Sequence, residues 1–331
     1  MTVVLRAAMD QGLMALQRQL HALAPDIPLL THGDPALERA TPDTRPPRLV
    51  RADVVEGSAI RARRVFGDPV ATFAAFLDGT QTSHVLAYVD GVPIVHGTVA
   101  AVVRMRRNRR LTTWHRPIVV RRLYACLRAL TPEHRRHLQA LGIEIVDTTP
   151  ATEDPAVHPF ILRDEAVHRV QEDREQAERE LAERWCNHER EPLFIDGGIS
   201  GSEKVAVSQC TVGVVKSHRT LYAEGDALQA ILALRRGERS SVFRVTSPKR
   251  IPVASWYLRL RDFGGHDPMW GLVRVEVAYP SHMEVDSIGT RADQISLWIL
   301  AETSPLAMPD GRWDKMVYGI RDCEEFLNAV T

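Results

Sequence analysis

The chain has 331 residues, with 42 Lys and Arg against 42 Asp and Glu, 44% apolar residues and 6% aromatics. That balance excludes a disordered, collagenous or disulfide-stapled chain. A formal charge of zero also excludes a domain that holds nucleic acid by bulk electrostatics, so any such site must be local.

Val4, Leu5, Ala8, Met9, Leu13, Leu16 and Leu20 recur at helical spacing and predict an amphipathic N-terminal helix whose apolar stripe something must cover. The Pro-, Asp- and Thr-rich stretch from Ala24 to Pro47 reads as an irregular connection. Residues 1–47 are therefore expected to form a helical arm and linker, and 48–331 the main domain. From Val70 three strands joined by tight turns are expected: ATFAAFL closing at Asp78-Gly79, HVLAYV closing at Asp90-Gly91, and PIVHGTVAAVV running into an arginine-rich tip. Residues 117–130 are ambiguous in period. A short helix over 132–141 and a small strand, IEIV, follow. Next come a charged helix from about Arg163 to Trp185, the strand PLFI ending at Asp196-Gly197-Gly198, and the strand TVGVVKSH. A helix over 226–234, the strand SVFRV, an antiparallel pair formed by VASWYLRLRDF and WGLVRVEVAY, and a helix over 292–302 precede the closing segment.

Cys126, Cys186, Cys210 and Cys323 form no C-x-x-C pair, so neither a zinc site nor a disulfide framework is indicated, and a reducing cytoplasmic setting is expected. Arg6 and Asp10 interrupt the N-terminal apolar pattern, which is wrong for a signal peptide, and no stretch reaches the ~20 apolar residues of a membrane span.

Asp-Gly is first a turn signal, and this is the reading for Asp90 and Asp310. Asp78 and Asp196 differ because each follows a nearly all-apolar run, the pattern of a central strand covered on both faces. Carboxylates at the ends of such strands face a crevice where ligands bind. A strand rises about 3.3 Å per residue and a helix about 1.5 Å, so the helix residue level with Asp196 should lie near position 175. On a helical projection Glu178 lies nearest the face of Val167, Val170, Ala177, Leu181 and Trp185. Glu175 lies to the side, and Glu165 and Glu172 point away.

Asp78, Glu178 and Asp196 then form a carboxylate group in the order strand, helix, strand. Such a group repels itself unless hard cations neutralise it, and two Mg²⁺ or Mn²⁺ ions would suit phosphodiester hydrolysis. The structural alternative for Glu178 is an ordinary helix pair with Arg174. Lys216 is flanked by apolar residues and either snorkels or faces the same crevice, where it could hold a phosphate. Arg104, Arg106, Arg107, Arg109 and Arg110 could grip a DNA backbone or simply form a solvated turn. GGISGSEK lacks phosphate-loop spacing, Ser200 completes only half a nucleophile elbow, and His134 and His137 lack the Glu of a zinc-protease motif.

These residues resemble the NurA family of nucleases. The matching pieces are FLDGT at 76–80, REQAE at 174–178, LFIDGGIS at 193–200, VGVVKSH at 212–218, SWYLRL at 255–260, GLVRVEV at 271–277 and the ending PDGRWDKMVYGI, in the family's order. The resemblance implies an α/β fold with a ribonuclease H-like mixed sheet flanked by helices, here carrying an N-terminal helical arm and C-terminal additions. It implies Mn²⁺- or Mg²⁺-dependent DNA cleavage, with 5′-to-3′ exonuclease and single-strand endonuclease activity, by a homodimer working with a HerA-type hexameric ATPase in end resection or phage defence. Asp78 and Asp196 match the family's metal-binding aspartates, Glu178 its helix glutamate and Lys216 its lysine. Where many relatives place a His near the last helix, this chain has Arg312, Asp314, Asp322 and Cys323, and Asp314 is the expected substitute. The departure leaves a second expectation, a non-catalytic DNA-binding or adaptor subunit of an ATPase complex.

Overall fold

The structure is a computed structural model and describes residues 14–25, 46–150, 158–248, 250–280, 287–304 and 314–331. The expected Asp310 turn and Val4, Leu5, Ala8, Met9 and Leu13 of the N-terminal stripe lie outside these residues. The chain folds as an α/β protein around a 13-stranded mixed sheet. The strands that build it at one end are β4 (Ala75–Val89), β5 (Val92–Arg107), β6 (Arg110–Thr113), β7 (Ile118–Ala125), β8 (Ile145–Asp147), β9 (Leu193–Asp196) and β10 (Thr211–Val215). Short strands β2 (Asp53–Val54) and β3 (Ala62–Arg64), with β12 (Glu238–Ser240), β13 (Phe243–Val245), β14 (Val253–Arg259) and β15 (Leu272–Ala278), extend it at the other. β1 (Arg48–Leu49) and β11 (Thr220–Leu221) pair separately. Helix α1 is described over 14–23. It is followed by α2 (Pro132–Gln139), α3 (Pro159–His188), α4 (Glu203–Ala206), α5 (Gly225–Leu232), α6 (Ile288–Glu302) and α7 (Tyr318–Val330).

The order through the centre is β8-β7-β5-β4-β9-β10-β15-β14. β4, β5 and β7 run antiparallel in turn, whereas β9 is parallel to β4 and β10 parallel to β9. Helix α3 lies between β8 and β9 in the chain, and its apolar stripe of Val167, Val170, Ala177, Leu181 and Trp185 is buried on one face of the sheet. Helices α6 and α7 cover the other face through Ile295, Ile299, Ile320 and Leu327. With both faces covered, β4, β9 and β10 need near-continuous apolar runs, and that is what made them legible. Leu20 of the expected stripe is buried, with Ala24, in the cluster that holds Leu86, Val89 and Ile94, so the hairpin end of β4 and β5 covers that residue.

One expectation is corrected. ATFAAFL and HVLAYV are not two strands joined at Asp78-Gly79 but a single 15-residue strand that passes straight through the dipeptide. An Asp-Gly turn forms when its flanks pair with each other. Here both flanks pair with the 16-residue β5, Asp78 opposite Val102 and Gly79 opposite Ala101. Asp90-Gly91 is the true hairpin, with φ of 49° and 82°, and Asn108-Arg109 closes a second with φ of 51° and 63°. None of the helices in the described residues is long and apolar enough to cross a membrane.

Candidate active site

Alternation along β4 places Phe76 and Asp78 toward α7, and Leu77 and Gly79 toward α3. The β4–β9 pairing ends at Leu77 opposite Ile195, so the flank of β4 at Asp78 has no partner strand. β9 itself stops at Asp196, where Gly197 turns the chain with φ of 131°, a conformation only glycine adopts freely. Asp78 and Asp196 are thus neighbours at a notch in the sheet. β10 continues one step further. Asp196 is in register with Val214, and Lys216 lies two residues on, so its side chain falls on the same face and its Nζ reaches Asp196 Oδ2 at 2.7 Å.

Glu178 arrives from α3. Two glycines set how closely that helix approaches. A Cβ at Gly97 would collide with Tyr124 and with Val170 of α3, and a Cβ at Gly79 would collide with the Glu178 carboxylate. The Glu178 side chain therefore lies directly over the β4 backbone beside Asp78. It also forms the pair with Arg174 expected of an ordinary helix, and Arg174 Nε in turn donates to Gln81 Oε1 at 3.0 Å. Both readings of Glu178 hold at once, for the helix pair sits inside the acid cluster.

The electrostatics follow from this crowding. Asp78 is buried, with 6% of its surface exposed, and it accepts a hydrogen bond from its own neighbour, the Gly79 N–H, at 2.8 Å. Burial, followed by the charges of Asp196 and Glu178, pushes its carboxyl well above the usual range against the opposing pull of Lys216. Burial likewise raises Glu178 to about 7, partly offset by Arg174 and reinforced by Asp196. Two carboxyls near the end of one strand thus share a site that favours their neutral forms unless cations enter.

The sequence reading missed one member. Glu324, on α7, adds to the field that raises Asp78. The helix that carries it is locked to β4, because Cys323 Sγ donates to Phe76 O at 3.4 Å and a Cβ at Gly319 would overlap the Phe76 ring. The expected Asp314 is engaged differently: its Oδ2 accepts from Gly271 N at 2.7 Å, which ties the segment before α7 to the β14–β15 turn. Asp322 pairs with Arg104 at 2.5 Å.

The arginine cluster divides in two. Arg104 also donates to Thr113 Oγ1 at 2.6 Å, and Arg106 forms a two-point contact with buried Glu302 at 2.9 and 2.6 Å, so both brace the hairpin against α6 and α7. Arg107, Arg109 and Arg110 are exposed at its tip. Ser200 is buried, and the side-chain partner found for it is Arg250 Nη1 at 3.5 Å rather than a His, so a serine nucleophile gains no support. His134 faces Asp90 at 3.4 Å on the outer helix α2.

For a divalent ion, the donor chemistry of Asp78, Glu178 and Asp196 fits, since hard cations take carboxylate oxygens and a buried acid cluster is relieved by positive charge. In this structure Lys216 and Arg174 supply that charge. Among the described residues no three His, Cys, Asp or Glu side chains converge closely enough to share one ion, so binding requires these two cations to yield their carboxylates. No protein-family model matches the chain, and no curated protein matches it.

Proposed function

We propose that this protein is a divalent-metal-dependent DNA nuclease in which Asp78, Glu178 and Asp196 hold the metal and Lys216 engages the phosphate. The observation that carries the reading is the placement of Asp78 and Asp196 side by side at the notch where β9 stops beside β4, with Glu178 of α3 lying over the adjacent Gly79. A second support is the strand order β7-β5-β4-β9-β10, with β5 antiparallel and β9 and β10 parallel to β4. That order and direction support a ribonuclease H-like reading of the core, in which the acids would stand on its first strand, first helix and fourth strand. The NurA-like motifs agree, and from them come the remaining parts of the proposal: Mn²⁺ or Mg²⁺ as cofactor, a homodimer, and a HerA-type hexameric ATPase that feeds DNA to the site.

Bound Mn²⁺ or Mg²⁺ would supply Lewis acidity for attack on a phosphodiester. The protein's own contribution is positional. Gly79 leaves room for Glu178 to stand beside Asp78, and the β10 register aims Lys216 along the face of Asp196. With Asp196 holding a cation, the Lys216 ammonium would be free to pair with a phosphate oxygen and stabilise its developing charge. Burial of Asp78 and Glu178 disfavours their charged forms, and a bound cation would offset that cost.

The test is cleavage of end-labelled single- and double-stranded DNA in Mn²⁺, Mg²⁺ and EDTA, alone and with a HerA-type ATPase. Wild type is expected to cut only with the metal, and Asp196→Ala to remain folded and inactive. Wild-type activity in Asp196→Ala would refute the assignment. The adaptor reading is favoured by one observation, the engagement of Glu178 and Asp196 by Arg174 and Lys216. DNA binding without cleavage under every divalent ion would select it.

A further inference from the structure

Beside the acid cluster, between α3 and the turn that leaves β9, lies a cleft of about 210 Å³. It is lined by the acids Glu178 and Asp196 and by Arg179 and Arg250. The two acids are already paired, with Arg174 and Lys216. The two arginines are not. Arg179 Nη1 donates to the neutral Gln176 Oε1 at 3.1 Å, Arg250 Nη1 reaches only Ser200 Oγ at 3.5 Å, and among the described residues neither is ion-paired. Gly197, Gly198 and Gly201 of the turn also line it, and a Cβ at Gly201 would stand 3.9 Å from Arg179 Nη2, which places that guanidinium beside the turn.

We infer that this cleft is the seat of the nucleic-acid strand next to the reacting phosphate, with Arg179 and Arg250 gripping one backbone phosphate each. The inference rests on the nuclease reading for the identity of the strand. The charge pattern carries the rest. An anionic backbone is repelled by carboxylates such as Glu175 and Asp196, and reaches them only if uncommitted cations in the same cleft hold it. Guanidinium groups suit that task because they bind phosphate through two parallel hydrogen bonds. The narrow cleft, closed on one side by α3, suits a single strand rather than a duplex.

The experiment measures binding of a fluorescein-labelled single-stranded oligonucleotide in EDTA, where cleavage cannot interfere, across a KCl series. Each phosphate contact on a single strand contributes about −0.7 to the slope of log affinity against log salt. The double variant Arg179→Gln/Arg250→Gln should therefore flatten the slope by about 1.4, so that the wild type's advantage grows about 25-fold between 1 M and 0.1 M salt. Arg179→Lys/Arg250→Lys should restore most of the slope, and Arg184→Gln, on the same helix outside the cleft, should leave it unchanged. Both arginines have solvent-exposed ends, and an unchanged melting temperature will confirm that the variants fold. An unchanged slope in the double variant, or a wild type that does not bind the oligonucleotide, overturns the inference. A wild type that cleaves while the variant's slope is unchanged removes the cleft and leaves the nuclease. A wild type that never cleaves but loses its slope in the variant keeps the cleft and removes the nuclease.

Discussion

Glu178→Gln should separate a metal ligand from a routine helix pair, through stability rather than activity. The Glu178 carboxyl titrates at about 7 in the folded protein against 4.5 as its ordinary value. A folded-state value above the unfolded one means that the native state binds the proton more tightly. Glu178 is therefore neutral and harmless at about pH 4 or below, and stability falls as pH rises through the window from 4.5 to about 7. The full difference, at about 1.4 kcal/mol per pH unit, amounts to about 3 kcal/mol by pH 8, and the 14% exposure of the side chain leaves little solvent screening to reduce it. Glutamine imitates the neutral acid and escapes the loss. In EDTA, Glu178→Gln should match wild type near pH 4, below the unfolded value, and exceed it by about 3 kcal/mol at pH 8, several degrees in melting temperature for a chain of this size. Saturating Mn²⁺ at pH 8 should restore wild type, by about 2.7 kcal/mol at a hundredfold excess over its dissociation constant, and should leave the variant nearly unmoved. Thermal unfolding followed by circular dichroism at both pH values, with and without Mn²⁺, decides the matter. A variant less stable than wild type at pH 8 by the few tenths of a kcal/mol typical of a lost exposed pair would refute the reasoning and leave Glu178 as a partner of Arg174 alone.

Other perturbations test neighbouring steps. Gly79→Ala inserts a methyl into the Glu178 carboxylate and should lower stability by about 1–3 kcal/mol and abolish cleavage, with Glu178→Gln failing to rescue it because the clash is steric. Arg106→Ala strands buried Glu302 and should lower unfolding free energy in denaturant titrations by about 3 kcal/mol, whereas Arg109→Ala, exposed at the hairpin tip, should stay within about 0.5 kcal/mol of wild type. Asp314→Asn keeps an oxygen to accept from Gly271 N and should leave the Mn²⁺ concentration dependence of cleavage unchanged; a weakened dependence would return Asp314 to the metal site.

The fold was legible where burial is two-sided. β9 and β10 could be read from runs such as LFI and VGVV, and the inward stripe of α3 from its period, because each pattern records a local environment. The strand break at Asp78-Gly79 was misread for the complementary reason. Whether the dipeptide turns or continues is decided by β5, whose 16 residues give both flanks a partner, and no property of residues 78 and 79 contains that information. The ambiguous segment after Pro117 became β7 by the same means, as an edge that β5 still had open.

The proximity of Glu178 to Asp196 could be anticipated because rise per residue and helical phase relate a helix to the strand that follows it, and Asp78 stood out by its apolar run. Glu324 and the bracing role of Arg104 and Arg106 could not be anticipated, because they depend on where α6 and α7 settle after more than a hundred residues of intervening chain. The packing that settles them can be traced only in three dimensions: Gly319 admits the Phe76 ring, Cys323 bonds to the Phe76 carbonyl, and Arg106 reaches Glu302 past that same ring, 5.1 Å from its centroid. Phe76 lies two residues before Asp78 on the same face of β4. The contacts that dock the C-terminal helices therefore also close the far side of the acid cluster and help keep Asp78 buried. The same docking makes Asp78's ionisation sensitive to substitutions at Gly319 or Cys323, neither of which is an acid or a base in the proposed reaction.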